Sequence, residues 1–377
     1  MVLGRKKALF EMSFFVRNNL ILLLIIFFCS GCGVVWDTIG ANQISFNCQS
    51  PSSLSGAFAA GNGTPANPFI ICSLTQLSNA ANNISASYAL GTNIDASSIA
   101  QWTPIGSNAT PFSGTFNGNG YTVSNITNTT GASYVGLFGD ITGTVLNLNV
   151  TNVTITGIGC PVGTLSGSVE AGGIIQTCSG TGSISGNGCH MGGLVGYNDG
   201  TISNSWSSAS ITAGVCGSAG FGGLVGHNDG TVNTSFATGS VTITWFCGGP
   251  NNNFGGLVGV CNGTINNSYA KGAVTGLAGA GTAGGLVGSL GGTVNTSYSI
   301  GAVSSTAPFG GLIGSSAGIV NSSYWPTDIS GQAASAGGTA STSAAMQVQG
   351  TFTGFDFVTP IWKFKVSIQP YPVLFWE

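Results

Sequence analysis

The sequence predicts an all-β protein: a right-handed parallel β-helix or solenoid with three short strands per rung, an N-terminal cap with a short helix and an aromatic C-terminal cap. Three observations lead there. First, Gly-Gly-Leu-Val-Gly begins at residues 192, 222, 255 and 284, and Gly-Gly-Leu-Ile-Gly at 310. Repetition at such a period is the mark of stacked repeat architectures. Second, the register inside each unit is kept although the unit lengths differ. Ten residues after the first Gly stand Ile202, Val232, Ile265, Val294 and Val320, and fourteen after it Trp206, Phe236, Tyr269, Tyr298 and Tyr324. Third, only 5% of the 377 residues are charged while 42% are apolar and 63 are Gly. A disordered chain is poor in apolar residues, so the composition argues for a packed core.

Solubility without charge must come from Ser, Thr and Asn, which line the outward faces and turns of β-proteins. That points to an extracellular architecture. From Gly33 onward the chain carries nine acids, three lysines and no arginine. Counterion release on phosphates cannot drive binding in such a chain, so nucleic acid is excluded as a partner.

The N-terminus reads as an address. Arg5, Lys6, Lys7 and Arg17 precede the apolar run Leu20 to Phe28, the n-region and h-region of a secretory signal, and the run is short for a membrane span. It ends in Cys29, Ser30, Gly31 and Cys32, which resembles a bacterial lipobox except that Cys29 stands where that pattern has Leu. The resemblance implies lipidation of Cys32, a membrane partner through that anchor and, with Gly33 following, an outer-membrane destination. Ordinary cleavage nearby, an uncleaved anchor reaching Trp36 and a start at Met12 stay open.

Strand alternation explains the register. The aliphatic position ten residues into the unit and the aromatic position four beyond it fall on one strand face, with Ser203 and Ser205, or Asn295 and Ser297, on the other. This parity places Trp206, Phe236, Tyr269, Tyr298 and Tyr324 as an internal stack, the rival being an exposed sugar-stacking stripe if the strand bends between them. Asn-Asp-Gly at 198 to 200 and 228 to 230, and Asn-Gly at 262 to 263, read as turns that accept positive φ. Ala171 to Cys189, with Gly-Gly-Ile-Ile, reads as a unit lacking its middle strand.

These units resemble the GLUG repeats of bacterial surface proteins, among them adhesins and the non-catalytic region of IgA-specific metallopeptidases. Upstream, Asn67-Pro68-Phe69-Ile70, Trp102-Thr103-Pro104-Ile105-Gly106 and Val135-Gly136-Leu137-Phe138-Gly139 resemble the region that precedes such repeats. The organisation that follows is a signal peptide over 1–31, a linker over 32–45, the N-terminal cap and first rungs over 46–134, GLUG-type repeats over 135–330, and a loop with an aromatic cap over 331–377. Helical spacing of Leu77, Ala80, Ala81 and Ile84 places a helix near 75–84 in the first cap. The Gly/Ala/Ser/Thr stretch 331–345 reads as a flexible loop, and the aromatics of the last 26 residues as a plug folded over the last rung.

No catalytic residue and no cofactor follow from the sequence. Polysaccharide cleavage needs paired carboxylates, and the exported acids are scattered. Asp199 and Asp229 recur in equivalent turns, where a shared Ca²⁺ competes with plain solvated turn residues. Cys189, His190, Cys216 and His227 could be drawn into a zinc set, but they lack tight ligand spacing, so no metal is assigned. The disulfide candidates are Cys48, Cys72, Cys160, Cys178, Cys189, Cys216, Cys247 and Cys261, with Cys48 paired to Cys72 and the rest clipping edge loops. Cys178 and Cys261 share one unit position several rungs apart and cannot bridge each other. The leading function is an exported cell-surface lipoprotein in an adhesive or structural role, its partner a host or neighbouring-cell protein or glycan. The alternatives are a carbohydrate-binding or degenerate carbohydrate-active β-helix and, from the single Thr file Thr201, Thr231, Thr264 and Thr293, ice binding.

Overall fold

The computed structural model describes Cys48 and residues 56–377 apart from 158, 216–218, 247–251, 278, 280, 305–308, 360 and 366–368. The chain divides into two units, Met1–Thr38 and Ile39–Glu377, and everything described belongs to the second. The signal segment 1–31, Cys32, the linker 32–45, Cys216 and Cys247 lie outside the described residues. No helix among those described is long and apolar enough to cross a membrane.

Short strands wind into a parallel β-solenoid whose turns stack into sheets of ten, six, seven and fifteen strands. The ten-stranded sheet runs from Phe69–Ile71 to Ile319–Asn321, which at a strand spacing of about 4.8 Å makes a rod about 40 Å long. One full turn consists of His190–Gly192, Val195–Asn198, Thr201–Ser203, Trp206–Ser207 and Ser210–Val215. The three strands per rung expected from the repeat are thus divided into five segments on four sheets. Burial explains why so uncharged a chain holds together: Leu194, Leu224, Leu257, Leu286 and Leu312 form one fully buried file, and Ile202, Val232, Ile265 and Val294 another.

Each division has a local cause. Twelve residues into the unit, Asn204, Thr234, Asn267, Thr296 and Ser322 all adopt positive φ, between 43° and 49°. Asn enters this left-handed region readily, but the β-branched Thr does so at a cost. Cross-turn bonds offset it: Thr234 Oγ1 donates to Asn204 Oδ1 and Thr296 Oγ1 to Asn267 Oδ1, both at 2.6 Å. One left-handed residue breaks the alternation, so the next residue turns inward. Ser205, Ser235, Ser268, Ser297 and Ser323 are accordingly buried. Each hydroxyl accepts from the backbone N–H of the residue stacked on it and donates to a carbonyl two residues back, as Ser268 does to Ser235 N at 3.2 Å and Asn266 O at 2.7 Å. Ser268→Ala leaves the Ser235 N–H buried without a partner, and chemical denaturation should show a loss of about 1 to 3 kcal/mol.

The Asn-Asp-Gly turns are not where positive φ is used. Gly230 and Gly263 are instead points of backbone contact, since a Cβ there would stand 2.1 Å from the Gly200 carbonyl oxygen and 2.0 Å from that of Gly230. The Asn of the same tripeptide points inward, Asn198 Nδ2 donating to Asn228 Oδ1 at 2.7 Å. The turn before the first full repeat is also complete, correcting the expected missing strand. Ile174–Gln176 pairs with Thr201–Ser203, and Val162–Gly163 and Ser166–Val169 supply the strands that Gly172-Gly173 had suggested further on.

Both ends are closed. At the N-terminus a helix spans Leu74–Asn79, Ser73 Oγ capping the Gln76 N–H, and continues as a 3₁₀ turn Ala80–Asn82, with Leu77 and Ala80 buried. At the other end the inward file Ser207, Ala237, Ala270, Ser299 finishes in Trp325, 4% exposed, which plugs the last turn beside Gly311. The stretch 331–345 is ordered structure, correcting the expected flexible loop: Ser335 Oγ accepts from Ile313 N at 2.8 Å, and Thr339–Ser341 extends the fifteen-stranded sheet.

Candidate functional site

The aromatic file lies outside the solenoid core. Because Ser205 and Ser207 face inward, Trp206 between them faces out, and the same holds for the files below it. The parity that placed the five rings inside fails at the left-handed corner. The rings nevertheless stack: Trp206 on Phe236 at 5.8 Å, Phe236 on Tyr269 at 4.9 Å and Tyr269 on Tyr298 at 5.0 Å between centroids, all within 6° of parallel. Tyr269 and Tyr298 are fully buried and Tyr324 nearly so, covered by Met346, Phe352, Phe355, Trp362, Tyr371 and Leu374. The C-terminal aromatics therefore lie along the side of the rod as a strap, not as a plug over the last rung.

Polar ties fix the strap. Tyr269 Oη donates to Glu377 Oε2 at 2.7 Å, Tyr298 Oη to the Pro372 carbonyl, Tyr324 Oη to Thr353 O at 3.1 Å and Trp376 Nε1 to Thr234 O at 3.0 Å. Burial pushes the Tyr269 and Tyr298 phenols well above their ordinary range, so both remain neutral donors. The three lysines among the described residues gather here as well. Lys271 donates to Gln369 and lies 5.0 Å from the Tyr269 ring centroid, Lys363 donates to the Phe375 carbonyl, and Lys365 to that of Glu377 at 2.6 Å. The strap ends part-way along the stack. Trp206 and Phe236 are half-buried, and Trp376, 36% exposed, lies against Phe236 at 5.6 Å.

A second cluster occupies the outer side of the seven-stranded sheet. His190, Tyr197 and His227 come together, with ring centroids 4.9 Å apart for the two histidines and 5.1 Å for Tyr197 and His227. Asp229 accepts from the Tyr197 hydroxyl, from His227 Nε2 at 3.0 Å and from Asn262 Nδ2 at 2.9 Å. Burial raises its carboxyl, but these bonds and the His227 charge outweigh it and hold the pKa below the usual value. Burial, with His227 beside it, pushes His190 down to about 4, so the imidazole is neutral. Asp229 is thus committed to side-chain partners and not to an ion shared with Asp199. Among the described residues no group of three or more His, Cys, Asp or Glu is placed to hold a metal.

Asp140 stands in the same file as Tyr197 and His227, two turns before Tyr197. It is 1% exposed, its Oδ1 accepts from Ile141 N at 2.8 Å, and its Oδ2 has no partner. Burial, and then the Glu170 charge, raise its pKa from 3.8 to about 6. The folded chain holds this proton more tightly than the unfolded chain, so the contribution to stability is full below about pH 4 and is lost as pH rises through about 6. Asp140→Asn keeps the Oδ1 acceptor and removes the charge. Its melting temperature should exceed that of the parent at about pH 8 and match it at about pH 4.

The cysteines divide by depth. Cys48 joins Cys72 in the N-terminal cap and Cys160 joins Cys189 between neighbouring turns, with Cα separations of 5.2 and 5.4 Å. Cys178 and Cys261 are free, which removes them from the disulfide candidates. Nor do they share a unit position: Cys178 occupies the inward Ser file, receiving the role of Ser205, while Cys261 continues the Asn198 and Asn228 file. Burial pushes both thiols up to about 12, and among the described residues neither is joined to another cysteine. On the ten-stranded sheet the Thr file is joined by a second outward file, Ser203, Asn233, Asn266, Asn295 and Asn321. Asn295 Nδ2 donates to Asn266 Oδ1 at 2.8 Å and Asn321 Nδ2 to Asn295 Oδ1 at 2.9 Å. This face is therefore a two-dimensional array, which the sequence showed only as one file.

Comparison with known proteins places the fold. No family model matches the chain. Halomucin of Haloquadratum walsbyi is 38% identical over 154 residues, 36% of this chain and 2% of halomucin. A protein of Evansella cellulosilytica named as a Gly-rich membrane protein is 40% identical over 126 residues, 30% of this chain and 15% of that one. The chain thus spans only a small part of either curated relative. Among solved structures, a Bacteroides ovatus chain assigned as an immunoglobulin A1 protease superposes with a TM-score of 0.64 at 21% identity, over 85% of this chain and 96% of that one. An IgA1 protease gives 0.55, also at 21% identity, over 67% of this chain and 21% of its own. At this identity the likeness shows the fold alone: an all-β parallel β-solenoid with a short helix near the N-terminus.

Proposed function

We propose that the chain is an exported cell-surface protein whose GLUG-type solenoid acts as an adhesive or structural rod, anchored through lipid on Cys32, and that it is not an enzyme. The observation that carries this reading is the closed rod itself, its repeats facing outward with uncharged Thr, Ser and Asn and its one long aromatic stack largely sealed by its own C-terminal strap. Support comes from the relatives, named as a halomucin and a membrane protein. The two disulfides suit an oxidising compartment. Labelled palmitate should enter the wild-type chain and not Cys32→Ser, and antibody should stain intact cells. A chain that stays inside the cell with Cys48 and Cys72 reduced would end the proposal.

A second reading, carbohydrate recognition, is favoured by the uncovered end of the stack, where Trp206, Phe236 and Trp376 offer ring surface beside polar Asn204 and Thr234. A glycan array with the wild-type chain and Trp206→Ala separates the two: glycan signal lost in the variant favours a binding module, and silence on all glycans favours the rod. The two-file face of the ten-stranded sheet keeps ice binding as the remaining reading, for which thermal hysteresis is the readout.

A further inference from the structure

We propose that His190 and His227 form a binding site for a divalent transition-metal ion of the kind imidazole favours, Cu²⁺ ahead of Zn²⁺, on the outer wall of the solenoid. They are the only two histidines of the chain. They arrive from different sheets, His190 from His190–Gly192 and His227 from Val225–Asn228, and meet edge to face with centroids 4.9 Å apart. The residue that pairs with His190 on the next turn is Gly220, which has no side chain to stand between the rings.

The nitrogen atoms decide the chemistry. Nδ1 of His190 and Nδ1 of His227 are both buried and both without a hydrogen-bond partner. Buried polar atoms are nearly always paired, so two orphaned imidazole nitrogens on neighbouring rings point to a shared ligand. His227 Nε2 faces the Asp229 carboxylate at 3.0 Å. A ring that donates its Nε2–H to a carboxylate keeps its lone pair on Nδ1, and such a bond orients a metal-bound histidine and raises its basicity. Asp229 is in turn held by the Tyr197 hydroxyl and Asn262 Nδ2, and the Cys160 to Cys189 disulfide pins the backbone beside His190. Loading the site asks the two rings to turn until both Nδ1 atoms face one ion. Among the described residues the chain supplies two nitrogen ligands and no third His, Cys, Asp or Glu in ligand position, so water completes the coordination. Two imidazoles bind Cu²⁺ more tightly than Zn²⁺ by the ordinary order of divalent-ion affinities.

The test uses the full chain, stripped with chelator and titrated with copper(II) or zinc chloride by calorimetry. One equivalent should bind, Cu²⁺ more tightly, and the copper signal in electron paramagnetic resonance should carry splitting from two imidazole nitrogens. His227→Gln and His190→Phe should each weaken binding at least about tenfold, and zinc should raise the melting temperature of the parent but not of the double variant. The parent melting curve also shows whether each variant is folded before its binding is read. Absence of saturable binding of either ion to the parent overturns the proposal. So does unchanged affinity in the folded double variant, or loss of binding in Cys178→Ser/Cys261→Ser, which would assign the metal to the thiols.

Discussion

Tyr269→Ala should release the C-terminal strap from the wall of the rod at a cost of about 3 to 5 kcal/mol, the range for deleting a buried aromatic side chain. Tyr269 has no exposed surface, stacks between Phe236 and Tyr298, packs on Trp362 at 6.2 Å and donates to Glu377. Its cluster is separate from the aliphatic core. The loss should therefore be local: hydrogen exchange should speed up over residues 345–377 while the files around Ile265 and Val294 stay protected. Cleavage by protease within the last thirty or so residues, leaving the repeats intact, should accompany it. Unfolding of the whole chain in one step at the same cost would show that strap and solenoid are one cooperative unit. An unchanged exchange pattern would show that the strap does not depend on the stack.

Gly255→Ala should be among the most damaging single-methyl changes in the repeats. A Cβ at Gly255 would lie 1.9 Å from the Val258 carbonyl oxygen and 2.8 Å from that of Leu286. Both obstacles are backbone, Val258 within a paired strand and Leu286 at a bend where its carbonyl accepts from Leu257 N and Val258 N, so neither can swing aside as a side-chain tip would. Overpacking a core typically costs about 1 to 3 kcal/mol, and here the strain must pass into the adjoining turns, so about 3 kcal/mol or more is expected. Equilibrium denaturation checks the loss. The position recurs at Gly192, Gly222, Gly284 and Gly310, with Cβ clearances between 1.7 and 2.0 Å, so Gly284→Ala should reproduce the effect. A variant as stable as the parent would mean that the bend between the first two strands of the unit opens far enough to admit a methyl group.

Much of the fold was legible because it is periodic. The recurrence of Ile202, Val232 and Ile265 named one inward file, and Asn-Asp-Gly and Asn-Gly at fixed places named the turns. The helix after Ser73 was also readable, from the spacing of Leu77, Ala80 and Ala81. The unit containing Cys178 was misread because Gly172-Gly173-Ile174-Ile175 imitates the start of a repeat, whereas pairing aligns Ile174 with Thr201. A signal was present, since Thr177-Cys178 has the form of Asn204-Ser205, a residue able to turn the corner followed by a small inward one.

The histidine pair was not legible as a site. Nothing in the spacing of His190 and His227 shows that two neighbouring sheets place the first ring beside the second while a disulfide withdraws Cys189. The aromatic file was visible, but its side was not. One left-handed residue at Asn204 and its equivalents reverses the inward and outward order of all that follows in the strand.

By itself, the sequence determined the parallel stack, its register and its aliphatic files, because those depend on contacts between equivalent residues one turn apart and are written as repetition. The tertiary structure alone decided that the five rings lie outside the core and that three of them are sealed. That outcome depends on a backbone dihedral at one corner and on contacts such as Tyr269 with Glu377, 108 residues away, which no repeat encodes.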